Sequence, residues 1–154
     1  MKMGLPRFVL YWAPVIAWGV LIYVGSTDLL SAAHTSRFLF PFLRWLNPNL
    51  SLATMETVQL IVRKIGHLTE YAIMAGLLWR ALWAGTNLKM QMMILFVAVL
   101  LPCAIFAMSD EFHQSFVASR TASPTDVMVD ICGAIIGLAI CSFARIRKAG
   151  LQKQ

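Results

Sequence analysis

Apolar and polar positions along this chain segregate into long blocks rather than short alternations. Phe8 to Thr27 is a run of 20 uncharged residues following Lys2 and Arg7. At 1.5 Å of rise per residue, about 20 helical residues cross a hydrocarbon layer about 30 Å thick. A signal-peptide core is about 7–15 residues, so the run predicts a retained span rather than a cleaved leader. Met90 to Ser109 is a second run of 20 uncharged residues, and Val127 to Ala144 is interrupted only by Asp130. Between them lies a poorer segment, Val58 to Trp83. Its second half, Tyr71 to Trp79, is apolar, whereas Arg63, Lys64, His67 and Glu70 interrupt the first. The pattern predicts four helices, over about residues 8–27, 58–83, 90–110 and 126–144, with an outer loop over 28–57. Pro14 and Pro102 are expected to kink their helices, which membrane helices tolerate. Gly85-Thr86-Asn87 with Lys89 and Ser119 to Thr125 read as turns, and Asn47-Pro48-Asn49 is a turn signal inside the outer loop. Arg37 to Leu46, rich in Phe and Trp, reads as an aromatic loop resting on the bundle; a short segment lying in the membrane interface is the alternative.

Composition makes lipid part of the solvent. The chain is 59% hydrophobic, its mean hydropathy is +0.72, and only 13% of its 154 residues are charged. A soluble domain usually carries about 25%. The expected fold is therefore all-α: one polytopic membrane domain over residues 1–154, a bundle of four transmembrane helices. The net charge of +6 does not indicate nucleic acid, because the basic residues sit at the ends of apolar segments. There they read as topology signals and contacts to anionic lipid. With four spans, Lys2, Arg7, Arg80, Lys89, Arg145, Arg147, Lys148 and Lys153 share one side. Both termini are then expected to be cytoplasmic. Cys103, Cys132 and Cys141 lie in apolar segments and read as small core residues, neither a disulfide framework nor a metal motif. The methionines, tryptophans and phenylalanines read as lipid-facing surface and interface belt.

All seven acidic residues fall on the other side or in the outer-to-middle parts of helices, and such asymmetry calls for a site. At 100° per residue, Lys64, His67 and Tyr71 fall within about 60° of one another, with Glu70 about 60° further round. Ser109, Asp110, His113 and Gln114 cover about 140° if the helix continues that far, and Glu111 points elsewhere. Asp126, Asp130, Gly133 and Gly137 fall within about 60°, so the face carrying acid also carries a small-xxx-small step for close helix contact. That face must point into the bundle. Lys64 and Arg120 oppose five carboxylates, Glu70, Asp110, Glu111, Asp126 and Asp130. The surplus must be hydrated, protonated or met by a bound cation or cationic substrate.

Lys64-Ile65-Gly66-His67, Glu70-Tyr71, Ser109-Asp110-Glu111-Phe112-His113-Gln114, Phe116 with Arg120, Ser123 to Asp126, and Asp130 with Gly133 and Gly137 together resemble the VanZ-like family of bacterial integral membrane proteins. The resemblance covers about residues 10–144. Where that family usually has a Pro-Gly-Arg turn, this chain has Ala118-Ser119-Arg120, which keeps the Arg. The resemblance implies a multi-pass protein of the bacterial plasma membrane. It also implies a cell-envelope role, since the family takes its name from a protein linked to resistance to the glycopeptide teicoplanin. It implies no settled reaction.

The candidates each carry two readings. His67 is a general acid/base or metal ligand, or a hydrogen-bonded structural histidine. Asp110 and His113 present two ligands to one ion, or form a helix C-terminal cap network. Asp126 caps the last helix or joins the site, while Asp130, a turn deeper, is harder to assign to a cap. Arg120 recognises phosphate or carboxylate, or pairs with Glu111 or Asp126. His67, Asp110 and Asp130 are thus the catalytic candidates, and Lys64, Tyr71, Gln114, Arg120 and Asp126 the substrate-binding ones. His67, Asp110, His113 and Asp130 are the candidate ligands if a divalent cation is bound, although no tight metal motif is present. Three functions fit: an outward-facing site that binds or acts on an envelope lipid or lipid-linked precursor, a structural membrane protein whose cluster fixes helix packing, and a proton-coupled transporter. Whether the protein is an enzyme is left open, as is its oligomeric state. The bilayer and an envelope lipid are the expected partners, and nucleic acid is not.

Overall fold

A computed structural model describes residues 5–28, 31–84, 91–120 and 122–151. The described residues are organised by five helices: α1 (Leu5–Gly25), α2 (Ala32–Leu46), α3 (Leu52–Ala84), α4 (Met92–Gln114) and α5 (Pro124–Leu151). The expected turn over 85–89 and the terminal Lys2 and Lys153 lie outside the described residues.

Four of these helices correspond to the expected four, but α3 and α5 begin earlier than their apolar runs. The Ser51 hydroxyl accepts the Thr54 amide at 3.1 Å, and the Ser51 carbonyl accepts Met55 at 3.1 Å. That N-cap starts α3 six residues before Val58. Ser123 does the same for α5, accepting the Thr125 amide at 3.2 Å with Pro124 in the first helical position, where a missing N–H costs nothing. Hydropathy locates spans, whereas caps locate helix ends.

The outer loop is largely helical, which corrects the expectation of an aromatic loop. Ser31 caps α2, its hydroxyl accepting the His34 amide at 3.4 Å. The pattern is 3.6-periodic: Thr35, Leu39 and Leu43 are half-buried, while Phe38, Phe42 and Trp45 are exposed on the opposite face. Gln59 of α3 holds the start of α2 by donating to the Ala32 carbonyl at 2.7 Å and to Thr35 Oγ1 at 2.8 Å.

The long helices alternate in direction. Arg80 near the end of α3 lies over the Tyr11 ring near the start of α1, and Arg145 of α5 lies over Trp83 of α3 and reaches Met92 of α4. At the other end, Gln114 closing α4 meets Ser26 just past α1. Helix α3 is central, packing against each of the others. Its closest neighbour is α5. A Cβ added at Gly133 would lie 2.9 Å from the Leu68 carbonyl carbon, and one at Gly137 3.0 Å from that of Ala72. The glycines therefore let the two backbones touch, as the small-xxx-small spacing predicts. Tyr71, Ala75, Leu95, Val99 and Ala107 fill the core between them with no exposure.

Three helices, α1, α4 and α5, are long and apolar enough to cross a membrane. Helix α3 is not among them because its charged first half dilutes its hydropathy, although 33 residues at 1.5 Å reach about 50 Å. Large apolar side chains such as Leu10, Ile16, Met93 and Ile140 face outward along the bundle. In water so continuous an apolar surface would drive aggregation; in lipid it is the solvated face. Cys132 is exposed there too, so of the three free cysteines only Cys103 is a buried core residue, while Trp79, Met55 and Met74 are buried rather than lipid-facing.

Candidate functional site

One end of the bundle gathers the polar side chains. The first half of α3 presents two adjoining faces there. Lys64 and His67 reach α5 and Tyr71 sets its ring toward Phe106 of α4, whereas Arg63, Gly66 and Glu70 line a cavity of about 310 Å³ between α2, α3 and the end of α1. His67 belongs to both, because it also lines the cavity.

On the α5 side, Asp126 takes both cations: Lys64 Nζ donates to Oδ1 at 2.6 Å and Arg63 Nη2 to Oδ2 at 3.1 Å. Asp126 is thus an ion-pair anchor in the first turn of α5. The cap is Ser123, which corrects the capping reading. Four residues on, His67 Nδ1 and Asp130 Oδ1 share a hydrogen bond at 3.1 Å, with Asp130 completely buried. The second Asp130 oxygen has no hydrogen-bond partner among the described residues, and neither has the buried Tyr71 hydroxyl.

Helix α4 continues through Gln114 and contributes three buried polar side chains, Asp110, Glu111 and Gln114. Gln114 is a hub. Its amide nitrogen donates to Asp110 Oδ2 at 3.1 Å and to Ser26 at 3.4 Å, and its carbonyl accepts from Arg63 at 3.3 Å. Asp110 therefore joins the cluster through Gln114 and Arg63. Glu111 corrects the helical-wheel expectation most clearly. It is buried beneath the start of α5, where Oε2 accepts the Ser123 amide at 2.8 Å and Oε1 has no partner among the described residues. One donor atom each from His67, Glu111 and Asp130 lie within 4.8 Å of one another. Asp110 and His113 fall outside that group; the His113 ring lies against Tyr23 of α1, with centroids 4.6 Å apart and planes tilted by 36°.

Arg120 pairs with neither Glu111 nor Asp126. It reaches back to the end of α1, donating to the carbonyls of Thr27, at 3.0 and 3.1 Å, and Gly25. A guanidinium there meets the negative end of the helix dipole, and Arg120 still contributes to the cavity wall. Half-burial pulls its pKa down, with the nearby Arg63 charge acting in the same direction, while Asp110, Glu70 and Asp28 oppose the shift. The same loop is tied by Ser119, whose hydroxyl donates to Asp28.

Of the residues singled out from sequence, His67, Gln114 and Arg120 line the cavity; Lys64, Asp126 and Asp130 lie on its α5 side, and Tyr71 is buried with its ring toward Phe106 of α4. Three residues were missed. Arg63 belongs to the cavity in place of Lys64; Glu70 lines it beside His67; Glu111 replaces Asp110 in the group of close donor atoms. The i, i+4, i+7 spacing of Arg63, His67 and Glu70 was the available signal for the first two.

No curated protein and no solved structure matches the chain. A family model described as VanZ/LLP1 matches residues 9–145. That match covers both the glycine-packed α3–α5 pair and every residue of the polar end described above, and the chain belongs to the VanZ-like family.

Proposed function

We propose that this is a multi-pass envelope membrane protein whose polar end binds the headgroup of an anionic lipid or lipid-linked precursor from the outer leaflet. In this reading all four long helices cross the plasma membrane. The end carrying Arg80, Arg145, Arg147 and Lys148 faces the cytoplasm, in keeping with the excess of basic residues on that side.

One observation carries the proposal: the cavity of about 310 Å³ is walled by two guanidinium-bearing residues, Arg63 and Arg120, together with Gln114 and His67, while Glu56 and Glu70 on the same wall suit the hydroxyl or amine part of a headgroup. Planar guanidinium groups suit phosphate and carboxylate. Helix α2 supports the same reading, since its outward Phe38, Phe42 and Trp45 suit the interface at which a headgroup lies. The structural alternative draws on a different observation, the mutual satisfaction of Asp126, Arg63, Lys64 and Gln114. A proton-coupled transporter finds less support, because the core from Met74 to Trp79 is apolar.

The test is lipid retention. Purified protein exchanged into mixed phosphatidylglycerol and phosphatidylcholine micelles is expected to keep the anionic lipid by native mass spectrometry. Arg63→Gln with Arg120→Gln should lower that retention at least tenfold. Equal retention of both lipids by the folded wild type sinks the proposal. Teicoplanin susceptibility of cells carrying the same variants reads the envelope role independently.

A further inference from the structure

We infer that His67, Glu111 and Asp130 form a binding site for one first-row divalent cation, of the zinc or manganese class, buried between α3, α4 and α5. The three donor atoms lie within 4.8 Å of one another, and all three residues are more than nine-tenths buried. Ligands about 2.0–2.2 Å from zinc at tetrahedral angles are about 3.3–3.6 Å apart, so a small closing of the three side chains completes the set.

Two atoms ask for a partner. Asp130 Oδ2 and Glu111 Oε1 are buried without a hydrogen bond among the described residues, which a carboxylate tolerates poorly. Glu111 Oε2 is held by the Ser123 amide, and His67 Nδ1 stands 3.1 Å from Asp130 Oδ1, near the spacing of two ligands on one ion. The Ser123 amide gives Glu111 the supporting contact that metal ligands usually have and leaves Oε1 for the ion. The nearby cations do not meet this need. Lys64 and Arg63 are both taken by Asp126, and Arg120 by the end of α1. A dipositive ion would neutralise both carboxylates while His67 coordinates as a neutral imidazole.

The donor set selects the ion. One imidazole nitrogen with two carboxylates favours zinc or manganese over calcium or magnesium, which prefer all-oxygen shells. Three protein ligands leave a coordination position open. Because His67 also lines the cavity, the ion would lie next to the proposed headgroup pocket, but its binding does not depend on that pocket.

Tag-free protein in detergent, stripped with chelator, is titrated calorimetrically with zinc and with manganese, magnesium serving as control. One equivalent of zinc or manganese is expected, with a raised melting temperature. Glu111→Gln and Asp130→Asn should each weaken binding at least tenfold, and Asp28→Asn, at the exposed rim, should not. Glu111→Gln keeps an oxygen for the Ser123 amide, so it decides the matter should Asp130→Asn fail to fold. The inference is overturned if the folded wild type binds no stoichiometric metal, or if binding survives Glu111→Gln. Metal binding without lipid preference would refute the headgroup reading and keep this one; lipid preference in metal-stripped protein that binds no metal would do the reverse.

Discussion

The two ends of this bundle are built from the same helices and follow opposite rules. Toward Trp79 and Leu95 the interfaces are dry and apolar, with Leu78, Val99 and Leu138 interlocked and Arg145 resting on Trp83 at the rim. Toward Arg63 and Gln114 the same helices bury Asp110, Glu111, Asp126 and Asp130. A carboxylate taken out of water is costly unless it is paired or hydrogen-bonded. A packing role alone does not call for four such groups at one end when the other end packs without any. The difference teaches where stability and chemistry are divided: the apolar end holds the bundle, and the polar end spends that stability on a cluster.

Both ends hang on the α3–α5 contact, so the comparison breaks most completely there. Gly133→Val and Gly137→Val force side-chain carbons into the Leu68 and Ala72 carbonyls. Each should cost about 3 kcal/mol and abolish a monodisperse peak in size-exclusion chromatography. Gly66→Ala has nothing within 4 Å of the new methyl and should be neutral or stabilising, by up to about 1 kcal/mol from helix propensity. Equal damage from all three would mean that backbone approach is not what the glycines supply.

At the apolar end, Leu95 is fully buried. Leu95→Ala should lower stability by about 2–4 kcal/mol, seen as a lower melting temperature, while leaving lipid retention at the polar end unchanged in whatever protein stays folded. A parallel loss of retention would show that the two ends are not separable.

The polar end sharpens the contrast through a pair rather than a cavity. Asp126→Ala leaves Arg63 and Lys64 without their shared carboxylate. Breaking a fully buried pair costs about 3–5 kcal/mol, but the Arg63 and Lys64 side chains are 24% and 38% exposed. The expected loss is therefore nearer 1–2 kcal/mol after solvent screening. A double-mutant cycle with Lys64→Met should return a coupling of about 1 kcal/mol; a coupling of zero would mark the bridge as incidental.

These two ends were also unequally legible. The apolar blocks announced the helices, and Gly133 and Gly137 announced the α3–α5 contact, because length and small-residue spacing are local properties of the chain. The polar cluster was legible as a set of residue types, since charge inside a membrane segment is rare. Its wiring was not. Arg63 and Lys64 are neighbours in sequence, and only the position of α5 decides which of them also lines the cavity. Glu111 points away from Asp110 on a helical wheel, yet the start of α5 covers that side and buries it. Helix α2 was hidden for a different reason: it has large apolar side chains on its exposed side (Phe38, Phe42, Trp45) as well as on its half-buried side (Leu39, Leu43), and Pro41 interrupts it, so the segment reads as aromatic loop.

The smallest expected effect lies at the rim of the polar end, where the 115–120 loop is tied down. Asp28 accepts from Ser119 and lies 3.1 Å from His34 Nε2. The Ser119 hydrogen bond is the main cause that holds the Asp28 carboxyl below the usual carboxylate range; desolvation opposes it, and Ser31 and His34 add to the lowering. A depressed pKa means that the ionised form belongs to the docked state. The tether is therefore fully present above the ordinary carboxylate pKa and is lost as the pH falls through the lowered value, not as it rises. Hydrogen exchange in the 115–120 loop of the wild type should be independent of this group at neutral pH, once corrected for intrinsic rate, and should quicken only in acid. Asp28→Asn should quicken it at neutral pH and remove the acid step, while leaving the melting temperature nearly unchanged, because the group is exposed to solvent. A variant whose loop stays as protected as the wild type at neutral pH would show that Arg120, on the carbonyls of Gly25 and Thr27, holds this rim of the polar end without help from Asp28.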